Sequence, residues 1–197
     1  NSNVGLSLLD GGTGDDVFTI GSSVSFNGTL DGGVGTDTLN VNAGTATVNV
    51  ANFENFLGSS GDDTLVFNNT VSGVSVDLGS QAASDTLQLA AGGNSVTVAN
   101  TEVVLGGTGA DTIKLSGSQG ATVTGGAGAD TINLGGGADV IRYTSTTDGT
   151  DDVNSFSSTS DSLLFSRSAF NGDGNSDDAL DTGNFVIGSA PTAADAN

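Results

Sequence analysis

The sequence predicts an all-β chain wound into a parallel solenoid, with irregular long coils and a C-terminal cap-like segment. Three observations predict it. A nonapeptide, G-G-x-G-x-D-x-(apolar)-x, recurs along the 197 residues. The segments between its turns alternate apolar and polar, which is the period of a strand with one buried face. The apolar residues are mostly β-branched or Leu, only one Pro occurs, and no stretch keeps a 3.6-residue period.

The nonapeptide appears in full four times. It runs Gly11-Gly12-Thr13-Gly14-Asp15-Asp16-Val17-Phe18-Thr19, then Gly32-Gly33-Val34-Gly35-Thr36-Asp37-Thr38-Leu39-Asn40. It returns as Gly106-Gly107-Thr108-Gly109-Ala110-Asp111-Thr112-Ile113-Lys114 and as Gly125-Gly126-Ala127-Gly128-Ala129-Asp130-Thr131-Ile132-Asn133. A tandem copy follows at once, Leu134-Gly135-Gly136-Gly137-Ala138-Asp139-Val140-Ile141-Arg142. Gly58-Ser59-Ser60-Gly61-Asp62-Asp63-Thr64-Leu65 is a fair copy, while Ser80 to Leu87 keeps only Asp85 and the apolar Leu87. Thr146 to Val153 and Phe156 to Leu163 are decayed copies carrying Asp151 and Asp161.

The intervals from Asp16 through Asp37, Asp63, Asp85 and Asp111 are 21, 26, 22 and 26 residues. After Asp111 they tighten to 19, 9, 12 and 10, ending at Asp161. A 48-residue superrepeat overlies them: Asp37-Thr38-Leu39 matches Asp85-Thr86-Leu87, and Val48 to Glu54 matches Val96 to Glu102 without a gap. A repeat near 20 residues with short alternating segments is one coil of a solenoid. Stacked coils bury a Leu/Ile/Val ladder that no single coil can bury alone. From about Ser155 the texture changes to Phe156, Leu163, Leu164, Phe165, Phe170, Phe185, Val186 and Ile187 with few Gly-Gly turns. The expected division is a solenoid over 1–154 and a capping segment over 155–197 that covers the open end and is itself truncated. The first residue is not Met, which reads as an internal fragment.

Composition excludes several functions. Against 23 acidic residues stand only Lys114, Arg142 and Arg167, and the formal net charge is −20. Phosphate contacts need Lys and Arg, so nucleic acid is not an expected partner. Cys and His are absent, which removes disulfides, Cys/His zinc sites and His acid/base chemistry. Only Glu54 and Glu102 among the acids are not Asp. A short carboxylate in a Gly-rich turn is a hard oxygen ligand suited to Ca²⁺.

The nonapeptide is a known calcium-binding β-helix signature with a physical basis. Gly allows positive φ and close backbone approach, the Asp at position six brings charge, and position eight plugs the core. Stacking sets equivalent Asp residues about 4.8 Å apart, which is unfavourable unless a divalent cation lies between them.

On these motifs the chain resembles the RTX (repeats-in-toxin, haemolysin-type) calcium-binding repeats of secreted bacterial proteins, from about Asp10 to Leu163. The tail Ala179 to Asn197 is similar to the segment that follows such repeats. The resemblance implies a right-handed parallel β-roll or β-helix holding several Ca²⁺ ions. It also implies export from a Gram-negative bacterium by type I secretion machinery, folding on extracellular Ca²⁺, and an extracellular or cell-surface location. By position, Asp16, Asp37, Asp63, Asp111, Asp130 and Asp139 match the ligand Asp, with Asp151 and Asp161 in degraded turns. The accompanying turn glycines are Gly12, Gly14, Gly33, Gly35, Gly61, Gly107, Gly109, Gly126, Gly128, Gly135 and Gly137.

The spacings place Asp16, Asp37, Asp63, Asp85, Asp111, Asp130 and Asp151 along one edge, with Asp139 and Asp161 opposite. The Gly-free turn before Asp85 is expected to hold no ion. Glu54 and Glu102 read either as an extra ligand pair with Asn52 and Asn100 or as a hydrogen-bonded turn ladder. Asn171 to Asp178 reads either as an EF-hand-like loop or as a plain acidic loop. No catalytic residue is expected, because the acids fall in turns rather than mid-strand in a groove with basic neighbours. The expected role is a calcium-binding structural or secretion module. The alternatives are a Ca²⁺-dependent surface-layer, filament or adhesin subunit, self-associating through its ends or holding cell-surface polysaccharide, and a non-catalytic domain of an exported polysaccharide-active enzyme.

Overall fold

A computed structural model describes residues 8–21, 24–42, 44–79, 84–166 and 169, with the side chains of 24–27 and 44 outside it. The described chain forms seventeen strands. They are β1 (Leu8–Asp10), β2 (Val17–Ile20), β3 (Val24–Asp31), β4 (Thr38–Val41), β5 (Gly44–Ala51) and β6 (Asn55–Leu57). There follow β7 (Asp63–Phe67), β8 (Ser72–Asp77), β9 (Thr86–Gln88), β10 (Ser95–Ala99), β11 (Val103–Leu105) and β12 (Thr112–Ser116). The last are β13 (Thr122–Thr124), β14 (Thr131–Asn133), β15 (Val140–Tyr143), β16 (Asp152–Asn154) and β17 (Ser162–Phe165).

Odd-numbered strands form a nine-stranded sheet and even-numbered strands an eight-stranded sheet, each in sequence order. Among the described residues every strand pairing is parallel, as in β7 on β9 and β12 on β14. Each coil therefore contributes one strand to each sheet, and the two sheets face each other as a β-solenoid. Equivalent turn residues lie 17 to 23 residues apart. Among the described residues no helix is long and apolar enough to cross a membrane.

The strand period delivers the core. Leu65, Leu87, Val104, Val123 and Ile141 pair in register on adjacent strands of the nine-stranded sheet, and each is at most 1 % exposed. Val96, Ile113 and Ile132 form the facing row and are buried. Each such side chain contributes about 1.5–3 kcal/mol relative to exposure. Near the N-terminal end the fill is aromatic: Phe18 meets Phe53 edge-on at 5.3 Å, and Phe56 meets Phe67 at 4.9 Å.

Two expectations change. The 26-residue intervals are not long coils but one and a half coils. From Asp37 the chain completes a coil of 17 residues at Glu54, then half a coil of nine more reaches Asp63. The three-residue turn Asn52-Phe53-Glu54 hides this half coil because it carries no Gly. The boundary at residue 154 also moves. β17 pairs with β15 in parallel register, Ser162 to Phe165 against Val140 to Tyr143. Phe156 and Leu163 pack on the core, and Phe165 stacks on Tyr143 at 5.1 Å. Residues 155–165 are thus a further half coil, because their alternating Leu and Phe suit the same ladder. The remainder of the expected cap, and the loop Asn171 to Asp178, lie outside the described residues.

Candidate metal centre

The turns gather on two long edges. On edge I the chain passes from the nine-stranded sheet to the eight-stranded one, and on edge II it returns. Edge I carries the turns of Gly12, Gly14 and Asp16; Gly33, Gly35 and Asp37; Gly107, Gly109 and Asp111; Gly126, Gly128 and Asp130; and Asp151. Each of these Asp residues directly precedes an even strand or its first residue. Edge II carries Gly61 and Asp63; Gly135, Gly137 and Asp139; and Asp161, each at the start of an odd strand.

Asp139 and Asp161 lie opposite the main row, as the spacing predicts. Asp63 and Asp85 do not lie with Asp16 and Asp37. They share edge II with Asp139 and Asp161, because three half coils, an odd number, separate Asp37 from Asp63. No site can therefore lie between the turns of Asp37 and Asp63.

The glycines are needed for stacking. Gly126 has φ 98°, and a Cβ there would run into the carbonyl oxygen of Gly107 one coil away. Gly33, also at φ 98°, stands likewise over the carbonyl of Gly12. Only a residue without a Cβ lets these turns approach at strand spacing.

Most motif Asp residues past the first turn of each row have a structural task as well, while Asp63 accepts only from Ser59 of its own turn. In the former the carboxylate accepts the backbone N–H of the equivalent residue one coil earlier. Asp16 N–H donates to Asp37 Oδ1 at 2.8 Å, and Asp111 N–H to Asp130 Oδ1 at 2.8 Å. Asp130 N–H donates to Asp151 Oδ1 at 3.1 Å, Ala121 N–H to Asp139 Oδ1 at 2.9 Å, and Asp139 N–H to Asp161 Oδ1 at 3.1 Å. Glu54 and Glu102 join the ladder, each accepting from Asp37 and Asp85 at 2.8 and 2.7 Å. The hydrogen-bonded reading of the two Glu is the one these bonds support.

The other carboxylate oxygen is often left over. Asp16 Oδ2, Asp37 Oδ2, Asp63 Oδ1, Asp85 Oδ2, Asp130 Oδ2 and Asp139 Oδ2 are buried without a hydrogen-bond partner. Asp111 differs, since Asn94 donates to its Oδ1 and Gly107 N–H to its Oδ2. Asp161 likewise receives Ser157 N–H at Oδ2. A buried unpartnered carboxylate is costly. Burial pushes Asp130 up to about 6, with the charges of Asp151, Asp111 and Asp148 adding to it against one backbone N–H bond. Asp85 is pushed up to about 6, chiefly by burial and further by Glu102, Asp63 and Asp62. Burial raises Asp139 and Asp151 too. At Asp161 burial raises the carboxyl, but hydrogen bonds from Ser157, Asp139 and Ser160 outweigh it and hold it low.

Among the described residues no three acidic side chains converge as a metal-holding group. A cation on these edges would rest on one or two carboxylates and on stacked main-chain carbonyls. That donor set is all hard oxygen and fits Ca²⁺. The orphaned oxygens and the Cβ-free cradles are where it would sit.

Sequence reasoning missed several members of the edges. Asn94 replaces an Asp in the edge I row, accepting Val71 N–H and donating to Asp111. Asp148 is buried and caps the N–H groups of Thr144 and Ser145 at 2.6 and 2.9 Å. Exposed Asp15 and Asp62 accept Thr36 and Ser84 N–H groups one coil on. The 48-residue match was the signal that pairs Glu54 with Glu102. Tyr143 packs against the core, hydrogen-bonds Asp151, and is raised to about 12 by burial and that carboxylate. Exposed Lys114 and Arg142 lie on strands β12 and β15, away from the turns.

The fold and its edges define a class: a two-sheet β-solenoid, an architecture of structural repeats. No family model matches the chain, and no curated protein or solved structure matches it either.

Proposed function

We propose that the chain is a calcium-binding β-roll module with a structural rather than catalytic role. The observation that carries this reading is the set of buried, unpartnered carboxylate oxygens at stacked Gly turns in a chain of net charge −20. Without a counter-ion these groups oppose stacking. Ca²⁺ supplies the neutralising charge when bound. The Asp side chains then hold neighbouring turns together, while the Leu/Val/Ile ladder supplies the apolar burial.

The resemblance to RTX repeats supports the remaining parts of the proposal. These are several Ca²⁺ ions per chain, type I export in an open state, and folding outside the cell. Extracellular calcium-binding modules in general reach a Kd on the order of 10⁻⁴–10⁻³ M, and at such an affinity millimolar Ca²⁺ would stabilise by mass action. The carboxylates stand at turns and the two described basic residues stand elsewhere, which favours scaffold over catalyst.

Circular dichroism and thermal melting in EGTA and in millimolar Ca²⁺ test the reading. Ca²⁺ is expected to deepen the β-sheet signal and raise Tm. Identical spectra and Tm values would refute it.

A further inference from the structure

The chain carries two Asn-x-Thr sequences, Asn27-Gly28-Thr29 and Asn68-Asn69-Thr70. Such an Asn accepts an N-linked sugar when it lies on the surface. The first sequence runs inside β3, where Thr29 and Leu30 pair with Asn49 and Val50 of β5 and Gly28 is buried. The second makes the edge I turn between β7 and β8.

That turn is held by its middle residue and by its backbone. Val50 N–H, one coil earlier, donates to Asn69 Oδ1 at 2.8 Å, and Asn69 Nδ2 donates back to the Val50 carbonyl at 2.7 Å. Asn68 N–H donates to the Val48 carbonyl at 2.9 Å. The two outer side chains, Asn68 and Thr70, are exposed, and among the described residues neither makes a hydrogen bond. The free amide of Asn68 stands out beside the amides of Asn49, Asn52, Asn69, Asn94 and Asn100, which all donate within the fold. The turn from Asn68 to Val71 also holds no acidic residue. A group attached to Asn68 therefore displaces no carboxylate of the edge I ladder and no side chain of the core.

We propose that Asn68 is an acceptor for an N-linked sugar. A transferase joins C1 of the sugar to Asn68 Nδ2. The bond from C1 to the phosphate oxygen of the activated donor breaks, the phosphate or diphosphate leaves with the bonding electrons, and the amide nitrogen gives up one proton. The Thr70 hydroxyl, two residues on, is the group by which the transferase recognises the site. The donor is a sugar activated at C1 through phosphate, carried on a nucleotide or on a membrane lipid. Nothing in this proposal depends on the chain binding calcium.

The purified full chain is incubated with a soluble N-glycosyltransferase and a nucleotide-activated hexose, and separately with a solubilised oligosaccharyltransferase and a lipid-linked oligosaccharide. Intact mass and peptide mapping of the parent read the products, so the result does not depend on a variant folding. One glycan on Asn68 is expected in at least one arm, and that arm identifies the carrier. Asn68→Gln and Thr70→Val are expected to stay unmodified at this turn, and Thr70→Ser to keep the glycan. The modified chain is expected to retain the parent's dichroism spectrum. A parent left bare at Asn68 in both arms, while both enzymes modify a short Asn-x-Thr peptide, overturns the proposal. Sugar found only on Asn27 overturns it too, as does a glycan on Asn68 that abolishes the dichroism spectrum.

Discussion

Asp85 Oδ1 accepts the backbone N–H of Asp63 at 2.7 Å, although 22 residues separate them. One carboxylate oxygen is thus spent on the neighbouring coil and the other, Oδ2, is left buried and unpartnered. The same division recurs at Asp37 and Asp130. At these three positions one oxygen fastens the backbone, and the other is the atom that the calcium proposal assigns to the metal.

Asp130→Asn separates the two tasks. It can keep the acceptor for Asp111 N–H and removes the buried negative charge. In EGTA the variant is expected to be more stable than the parent, by about 1–3 kcal/mol, the cost of an unsatisfied buried group. In Ca²⁺ at a hundredfold excess over Kd it is expected to lose about 2.7 kcal/mol of ligand-linked stability. Urea titrations in the two buffers check this crossover. A variant destabilised equally in both would show Asp130 to be structural only.

The metal-free chain should be most stable in acid. Asp85 and Asp130 are raised from 3.8 to about 6 in the folded state. Between about pH 4 and pH 6 the folded chain then holds more protons than the unfolded one, so stability falls as pH rises through that window. Above it these two groups add no further slope. Denaturant midpoints in EGTA at pH 4.5 and pH 7 read the effect, with the higher midpoint expected at pH 4.5. Ca²⁺ competes with these protons, so saturating Ca²⁺ should shrink or reverse the difference.

Glu54→Ala tests the ladder apart from metal. It leaves the N–H of Asp37 without its acceptor, and the expected loss is about 1 kcal/mol. The number of bound Ca²⁺ ions should not change. A lost ion would place Glu54 among the ligands instead.

Gly126→Ala tests the stacked turn. Its φ of 98° disfavours any Cβ, and the carbonyl of Gly107 occupies the space. Destabilisation above about 1 kcal/mol is expected, together with weaker Ca²⁺ binding, because the coils must spread. Ile132→Ala in the core should cost about 2–5 kcal/mol with Ca²⁺ affinity of the folded chain unchanged. Calorimetry of both variants distinguishes turn from core.

Much of this molecule was legible before its structure. Alternation in Thr131-Ile132-Asn133 gives the inward and outward faces, and the Gly turns give the coil breaks. The same reasoning misplaced Asp63 and Asp85 because it counted Gly motifs, and Asn52-Phe53-Glu54 turns the chain without one. Asn52 adopts φ 53° and bonds Asp31 through its amide, so it does the work of a glycine while matching no glycine pattern. Asn94 and Asp148 were passed over for a similar reason: their roles are defined by neighbours one coil away, not by adjacent residues.

The sequence alone determined that the chain is a parallel β-solenoid with short strands. It also restricted any metal to a hard cation bound by oxygen, since Cys and His are absent. Periodicity and composition are local properties, and they suffice for both conclusions. Which edge each Asp occupies was decided only by the tertiary structure. Edge is set by whether the number of half coils between two residues is odd or even. That parity is fixed by strand pairing across 17 to 23 residues, and a single unmarked turn reverses it.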